Sequence, residues 1–363
     1  MGGQLAGGAG FSTFERQDRV LVALSGGVDS AVCVRILQQQ GFDVHGLVIR
    51  FSPAHAHAVE AARTAAGQLG IPLEVASCED LFEQAVVTPF CESYCSGITP
   101  SPCVFCNPLV KFRVLADTAD RMGIHYIATG HYARIDGRED IYYVRQAVSA
   151  ARDQSYMLYR LGQNILCRLC LPVGEFEKPD IRQMAREMGL ACADAPDSQE
   201  ICFIPEGDYT AFIAARGLPD KSGRFIGPAG EDLGPHKGVS HYTVGQRRGL
   251  GIPYGEPVFV QRILENGDIR LARAGEEFAA GVTLGRTVRT AHGPWPEGMR
   301  CAVKIRSRAP LAGCTVRCRA DGRLDVLFDE PLRAPAPGQS AVLYAGDLVI
   351  GGGVIESTAP GSD

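Results

Sequence analysis

The first apolar run of the chain, DRVLVAL at 18–24, ends without a spacer in SGGVDS, Ser25 to Ser30, and the helical run AVCVRILQQQ follows at once. A glycine-rich turn between the end of a strand and the start of a helix restricts the fold more than any other feature. It predicts an open α/β sheet whose helix N-terminus, with unpaired N–H groups and the positive end of the helix dipole, faces an anion. Gly26 and Gly27 permit close approach of a backbone, and Ser25 and Ser30 supply hydroxyls. Asp29 beside phosphate calls for a magnesium ion between the two charges. The turn lacks the length and the lysine of a Walker loop, and a tight structural turn is the bland alternative.

The rest of the first half agrees with such a sheet. Runs at 44–50, 71–77 and 125–131 read as further strands, with helical stretches at 29–39, 55–69 and 108–122 between them. Strand-helix alternation predicts a doubly wound parallel sheet. A helix is expected over 177–190, started by Pro179 and ended by Gly189. From about residue 216 glycine and proline become frequent, and an Asn-Gly turn joins two strands within 258–274. Beyond 285 the pattern is all β. The expected organisation is a flexible tail at 1–17, an α/β domain at 18–215, a small β-rich domain at 216–284 and a C-terminal β-barrel at 285–363. At 363 residues, several domains are the ordinary expectation.

Thirteen cysteines in a chain with no secretory signal argue for thiols put to chemical use in a cytoplasmic protein rather than for a disulfide framework. No uncharged apolar run is long enough to span a membrane. A net charge of -5 speaks against a surface coated for nucleic acid, yet it is unevenly spread. Between Met299 and Arg323 stand seven basic residues, Arg300, Lys304, Arg306, Arg308, Arg317, Arg319 and Arg323, against one acid, Asp321. If Lys304, Arg306 and Arg308 lie on one strand they share a face, as do Arg317 and Arg319, and such a ladder suits RNA phosphates.

SGGVDS resembles the pyrophosphate loop (PP-loop) of the ATP pyrophosphatases, and six later stretches narrow the resemblance. ATGHYAR (128–134), ARDQSYMLYRL (151–161), LPVGEFEKPDIR (171–182), DSQEICFIPEGDY (197–209), HKGVSHYTVGQRRGLGI (236–252) and PGQSAVLY (337–344) follow one another as in the bacterial tRNA-specific 2-thiouridylases. The resemblance implies ATP-dependent replacement of the wobble uridine's C2 oxygen by sulfur, with ATP cleaved to AMP and pyrophosphate. It implies that Ala23, Leu24, Ser25, Gly26, Gly27, Val28, Asp29, Ser30, Ile49 and Gly130 bind ATP with Mg2+. It further implies tRNA contacts at Ser101, Pro102, Cys103, His131, Arg152, Asp153, Gln154, Arg306, Ser307 and Gln339. A sulfur-donor protein or inorganic sulfide is the implied partner. Adenylation makes chemical sense, because it turns a carbonyl oxygen into part of a leaving group, and the base must leave its stack to be reached.

The stretch TPSPCVFCNPLVKF (99–112) holds the remaining question. Asn107 and Pro108 look like an N-cap and a first helical residue, which would put Cys106 just before a helix and lower its pKa. By resemblance, Cys106 and Cys202 match the family's catalytic cysteines, while Cys103 stands where the commonest form has aspartate. The family's CxxC variant implies a [4Fe-4S] cluster on Cys103, Cys106 and Cys202, with an open iron for hydrosulfide. The rival is a persulfide on Cys202, resolved by attack or disulfide closure through Cys106. A zinc clip from Cys91, Cys95, Cys103 and Cys106 is a third reading. The pair Cys167 and Cys170 reads as core packing. Two further function classes stay open at this level: an amide-forming ATP pyrophosphatase, and a non-catalytic, metal-stabilised RNA-binding protein.

Overall fold

The apolar run that opens the chain forms the middle strand of a parallel sheet. In a computed structural model the described residues are 18–196, 201–204 and 207–360; the tail expected at 1–17 and part of the DSQEICFIPEGDY stretch lie outside them. The chain divides into two compact units. Among the described residues, the first comprises 18–85, 103–196 and 347–350, and the second comprises 86–102, 201–204, 207–346 and 351–360.

The first unit holds strands β1 (Arg19–Ala23), β2 (Asp43–Arg50), β3 (Leu73–Ser77), β4 (Tyr126–Thr129), β5 (Ala133–Arg138), β6 (Ile141–Gln146) and β7 (Leu169–Cys170). Five of them make a sheet in the order β3-β2-β1-β4-β7, every pair parallel. Val20, Leu21 and Val22 are fully buried, as expected of a strand covered by helices on both faces. The chain winds outward from β1 through β2 to β3, then returns to β4 on the other side of β1. That reversal opens a crevice at the carboxyl ends of β1 and β4, the usual ligand position in such sheets.

The helix Val28–Gln39 packs its Ala31, Val32 and Leu37 into the same core as Ala62 and Ala66 of the helix Ala56–Leu69 and Ile181 and Ala185 of the helix Lys178–Glu187. Glu177 and Asp180 form a capping box at the start of the last of these, and Gly189 takes a left-handed φ of 64° just beyond its end. The sequence marked the start by Pro179 and the end by Gly189; the capping box is seen only in the structure. The antiparallel hairpin β5-β6 extends this unit, and Leu348 pairs with Arg145 at its edge.

One expected helix differs. The stretch read as 108–122 begins at Pro102 and runs through Cys106, a π-turn at Asn107–Lys111, and Phe112–Arg121. Pro108 therefore lies inside the helical run. Proline cannot donate to the i−4 carbonyl and crowds it, and the wider π-turn accommodates that conflict. Asn107 caps nothing: it is buried and donates from Nδ2 to the carbonyl of Met157 at 2.9 Å.

In the second unit, β8 (Arg224–Ile226), β9 (Asp232–Pro235), β10 (Val258–Ile263) and β11 (Ile269–Arg273) form a small sheet in the order β10-β11-β8-β9 over Phe225, Tyr242, Val260 and Leu271. Gly267 of the Asn-Gly turn has φ 93°. Strands β12 (Phe278–Arg289), β13 (Met299–Lys304), β14 (Ala312–Cys318), β15 (Leu324–Arg333), β16 (Ser340–Ala345) and β17 (Leu348–Pro360) run in the order β12-β15-β14-β13-β16-β17, and β12 also pairs with β17. The result is a closed six-stranded barrel filled by Val282, Leu284, Val303, Val316, Val326 and Leu343. Among the described residues no helix is long and apolar enough to cross a membrane.

Candidate functional site

The loop Ser25–Ser30 lies at the carboxyl end of β1, and its own atoms hold its shape. Ser30 Oγ donates to the carbonyl of Gly27 at 3.0 Å, accepts from the amide of Ser25 at 3.1 Å, and lies 3.1 Å from Ser25 Oγ. Gly26 has φ 80°, and a Cβ on it would stand 2.6 Å from Ala61 Cβ. The helix that follows starts at Gly27 without a side-chain cap, so its first amides face the loop. Leu24 and Val28 are buried, as is Ile49 near the end of β2.

Gly130, just past β4, closes the crevice from the other side. A Cβ there would sit 2.8 Å from Asp29 C and 2.8 Å from Ser30 N, so only glycine lets the β4 turn rest on the loop.

Asp29 is answered by protein charge. Lys178 Nζ lies 2.7 Å and 2.9 Å from its two carboxylate oxygens, and Tyr132 Oη donates to Oδ1 at 2.8 Å. Lys178 is only 7% exposed and its ammonium also sits 5.7 Å from the Tyr132 ring centroid. The magnesium ion expected as the partner of Asp29 is therefore not required to explain that residue. Sequence reading passed over Lys178, although it stands in the quoted LPVGEFEKPDIR stretch, because nothing local ties it to a loop almost 150 positions earlier.

His131 continues from Gly130. Its Nε2 is 3.4 Å from Lys111 Nζ and its Nδ1 is 2.7 Å from Thr129 Oγ1. An ammonium only donates, so Nε2 accepts and the ring proton sits on Nδ1, pointing to Thr129. Loss of water around the ring on burial, and then the Lys111 charge, push its pKa well below the ordinary imidazole value, which keeps it neutral. Phe112 stacks on the ring at 5.8 Å. Lys111 and Phe112 belong to the helical run that carries the cysteines, so this histidine joins that run to the crevice.

Next along, Tyr132 and Gln154 hold each other. The amide of Tyr132 donates to Gln154 Oε1 at 2.8 Å, and the amide of Gln154 donates to the carbonyl of Tyr132 at 2.7 Å. Asp153 is buried and accepts from the amides of Ala147 and Ser155, from Ser155 Oγ and from Gln146 Nε2. It shapes the loop from within, while Arg152 is exposed.

Cys103 and Cys106 are three apart in the helical turn Pro102–Cys106 and so share a face; Cys103 is exposed and Cys106 buried. Arg160 lies over the Phe105 ring at 5.1 Å. Cys106 is inside the helical run and not, as expected, just before a helix. Cys202, in the second unit, is exposed. Among the described residues no group of three or more His, Cys, Asp or Glu side chains is placed to hold a metal. The donors of the expected three-cysteine cluster, Cys103, Cys106 and Cys202, and those of the zinc clip, Cys91, Cys95, Cys103 and Cys106, are divided between the two units. Cys170 is core, its pKa pushed up to about 12 by burial, but its expected companion Cys167 is exposed.

In the second unit the stretch 98–101 is gripped by the PGQ of PGQSAVLY. Thr99 N donates to the carbonyl of Pro337 at 3.0 Å, and Gln339 Nε2 donates to the carbonyls of Thr99 and Pro100 at 3.0 Å and 3.2 Å. Ser101 Oγ donates to Gln339 Oε1 at 3.1 Å. Two residues assigned to tRNA by resemblance, 238 positions apart, thus touch directly. Gly338, with φ 90°, leaves no room for a Cβ against Ile98.

The basic stretch does not form the expected ladder. Strand β13 ends at Lys304; Arg306, Ser307 and Arg308 turn away beyond it. Lys304 is buried, its ammonium over the Tyr344 ring at 5.6 Å. Arg300 pairs with Asp329 at 2.6 Å, Arg319 with Asp325 at 3.4 Å, and Arg323 with Asp321 and Glu356. Acids on neighbouring strands supply the charge that the linear stretch lacks. Arg306 Nη2 donates to the carbonyls of Val244 and Ala334 at 3.1 Å and 2.8 Å.

Three family models match the chain in order. They are described as the tRNA methyl transferase HUP domain (residues 18–206), the tRNA methyl transferase PRC-barrel domain (211–270) and the aminomethyltransferase beta-barrel domain (286–355). The tRNA-specific 2-thiouridylase MnmA of Acetivibrio thermocellus is 41% identical over 355 residues, covering 93% of this chain and 99% of that protein. The protein of the same name from Carboxydothermus hydrogenoformans is 40% identical, with 93% and 97% covered. That from Syntrophotalea carbinolica is 41% identical, with 94% and 99% covered.

Proposed function

Because the chain belongs to the bacterial tRNA-specific 2-thiouridylases, we propose how its residues divide the work of that family's reaction, the ATP-dependent 2-thiolation of the wobble uridine in tRNA. The observation that carries the proposal is the phosphate loop at the switch point of the sheet, with Gly130 seated on it and Lys178 balancing Asp29.

ATP lies with its phosphates against Ser25, Gly26, Gly27 and Ser30 and the first amides of the helix after Gly27, and Ala23, Leu24, Val28, Ile49 and Gly130 enclose it. Mg2+ accompanies the nucleotide and offsets phosphate charge. Lys178 keeps Asp29 from repelling the triphosphate. The uridine O2 attacks the α-phosphorus, pyrophosphate leaves, and the C2 oxygen now belongs to an AMP leaving group.

The base is received by Ser101, Pro102 and Cys103, with His131, Arg152 and Gln154 contacting the RNA and Asp153 holding their loop. Arg306, Ser307 and Gln339 extend the RNA contact, Gln339 also fixing Ser101. Sulfur is delivered by cysteine. A sulfur-donor protein loads Cys202 as a persulfide, whose terminal sulfur attacks C2 as the C2–O2 bond to AMP breaks. The Cys106 thiolate then attacks Cys202 Sγ, releasing 2-thiouridine and leaving a Cys106–Cys202 disulfide that an external dithiol reduces. The rival route would hold a [4Fe-4S] cluster on Cys103, Cys106 and Cys202 and would leave the adenylation step unchanged. The reaction belongs in the cytoplasm, where charged tRNA pools and reducing thiols are found.

Two measurements test this reading. ATP–pyrophosphate exchange should depend on tRNA, whereas an amide ligase would respond to an acid substrate and a binding protein to neither. Protein purified without oxygen should thiolate tRNA while metal-free. About four irons and four sulfides per chain, lost in Cys103→Ala together with activity, would overturn the persulfide route.

A further inference from the structure

Outside the sulfur-transfer cysteines, the barrel brings two more thiols together. Cys301 on β13 and Cys314 on β14 are directly opposite in an antiparallel pair, and their Sγ atoms are 3.5 Å apart. Opposed residues in such a pair have Cα atoms about 4.5–5.5 Å apart, inside the range a disulfide spans, so the bond closes without moving either strand. The two thiols differ in a useful way. Cys301 is partly exposed, whereas Cys314 is buried.

We propose that Cys301 and Cys314 form a second thiol site, a dithiol that reacts with low-molecular-weight disulfides and closes reversibly. Cys301 is the attacking thiol. The hydrogen bond from Cys314, and then the Arg300 charge, draw its pKa down against the opposing effect of burial. Cys314, as the donor of that bond and the more buried group, is held protonated. In the first step the Cys301 thiolate attacks one sulfur of the small disulfide, forming a mixed disulfide and expelling one thiolate. Cys314 then passes its proton to that thiolate and attacks Cys301 Sγ, expelling the second half as a thiolate that takes up from solvent the proton Cys301 released on ionising. Two protein thiols lose two electrons and two protons, and one small disulfide becomes two thiols.

The sequence makes the test direct. Lys304, Arg306 and Arg308 lie between the cysteines, so trypsin separates them into the peptides 301–304 and 309–317. Full-length protein, reduced and freed of thiol, is exposed to oxidised glutathione, quenched by alkylation, digested and mapped by mass. The expected result is a linked pair of these two peptides, formed before the isolated exposed thiol Cys167 is half modified, and lost again on adding dithiothreitol. In Cys314→Ser, Cys301 should retain glutathione; in Cys301→Ser, Cys314 should remain unmodified. Recovery of the two peptides unlinked while Cys167 has reacted, or a persistent glutathione adduct on wild-type Cys301, would overturn the proposal.

Discussion

The phosphate loop and the basic stretch of the barrel are both short, both strongly patterned, and have opposite fates in three dimensions. The loop's chemistry is local. Its glycines, its serines and the helix start that faces the ligand are neighbours in the chain, so the pattern survives folding. In the basic stretch the pattern is an artefact of reading one strand at a time. Asp325 and Asp329 on β15 and Glu356 on β17 lie beside Arg319, Arg300 and Arg323, so three of the seven basic residues are paired with acids from outside the stretch. Backbone-made sites can be read from a short stretch, whereas net charge at a surface depends on strands distant in sequence.

The contrast can be broken from either end. The largest effect is expected at Lys178, where Lys178→Met leaves the Asp29 carboxylate without its opposite charge and with only the Tyr132 hydroxyl bond among those described above. Lys178 is buried but the Asp29 side chain is 32% exposed, so removing one partner of this half-buried pair costs about 1–3 kcal/mol, and ATP turnover should fall with it. Adding Asp29→Asn should restore much of the thermal stability without restoring turnover, a result that chemical denaturation and AMP formation check together. If Lys178→Met were as stable and active as wild type, the pair would be ornamental.

Gly130→Ala comes next. Its Cβ would press on the Asp29–Ser30 backbone and displace the loop, and a misplacement of that order costs about 100-fold in rate. Tritiated tRNA binding should stay near wild type, which separates loss of nucleotide geometry from unfolding.

His131 gives an intermediate effect with a definite sign. Its folded pKa lies below the unfolded value of about 6.5, so below that pH the unfolded chain binds the extra proton first. The stabilisation it contributes is complete above about pH 6.5 and is lost as pH falls from there toward the folded pKa, by up to about 1.4 kcal/mol per pH unit. His131→Gln should flatten that part of the stability–pH curve. An unchanged slope would mean that His131 titrates normally.

The smallest effects are expected in the barrel. Arg300→Ala removes an exposed, solvent-screened ion pair and should leave tRNA affinity and its salt dependence unaltered. Arg306→Ala should weaken tRNA binding and reduce the salt slope by about one. Equal behaviour of the two variants in filter binding across salt concentrations would erase the distinction drawn between them.

Much of the fold was legible for the reason that the loop was. The strand after Asp18, the helix end at Gly189 and the Asn-Gly turn at 266–267 are each decided within a few residues. What was not legible depended on partners far away in sequence. Pro108 read as a helix start, yet a π-turn and the Asn107 bond to Met157 carry the helix through it. Asp29 called for a cation, and the cation is Lys178. Ser101 and Gln339 were each assigned to RNA by resemblance, with no hint that Gln339 holds the stretch in which Ser101 lies. The cysteines at 301 and 314 had no spacing that marks a motif, and only strand register brings them together.

The most direct test of the account counts AMP and 2-thiouridine per tRNA, without oxygen, in the presence of Mg-ATP and a persulfide donor, for wild type and Cys202→Ala. The account predicts equal amounts of the two products from wild type and, from a variant that still binds tRNA, no 2-thiouridine. Thiolation at the wild-type level by Cys202→Ala would contradict it.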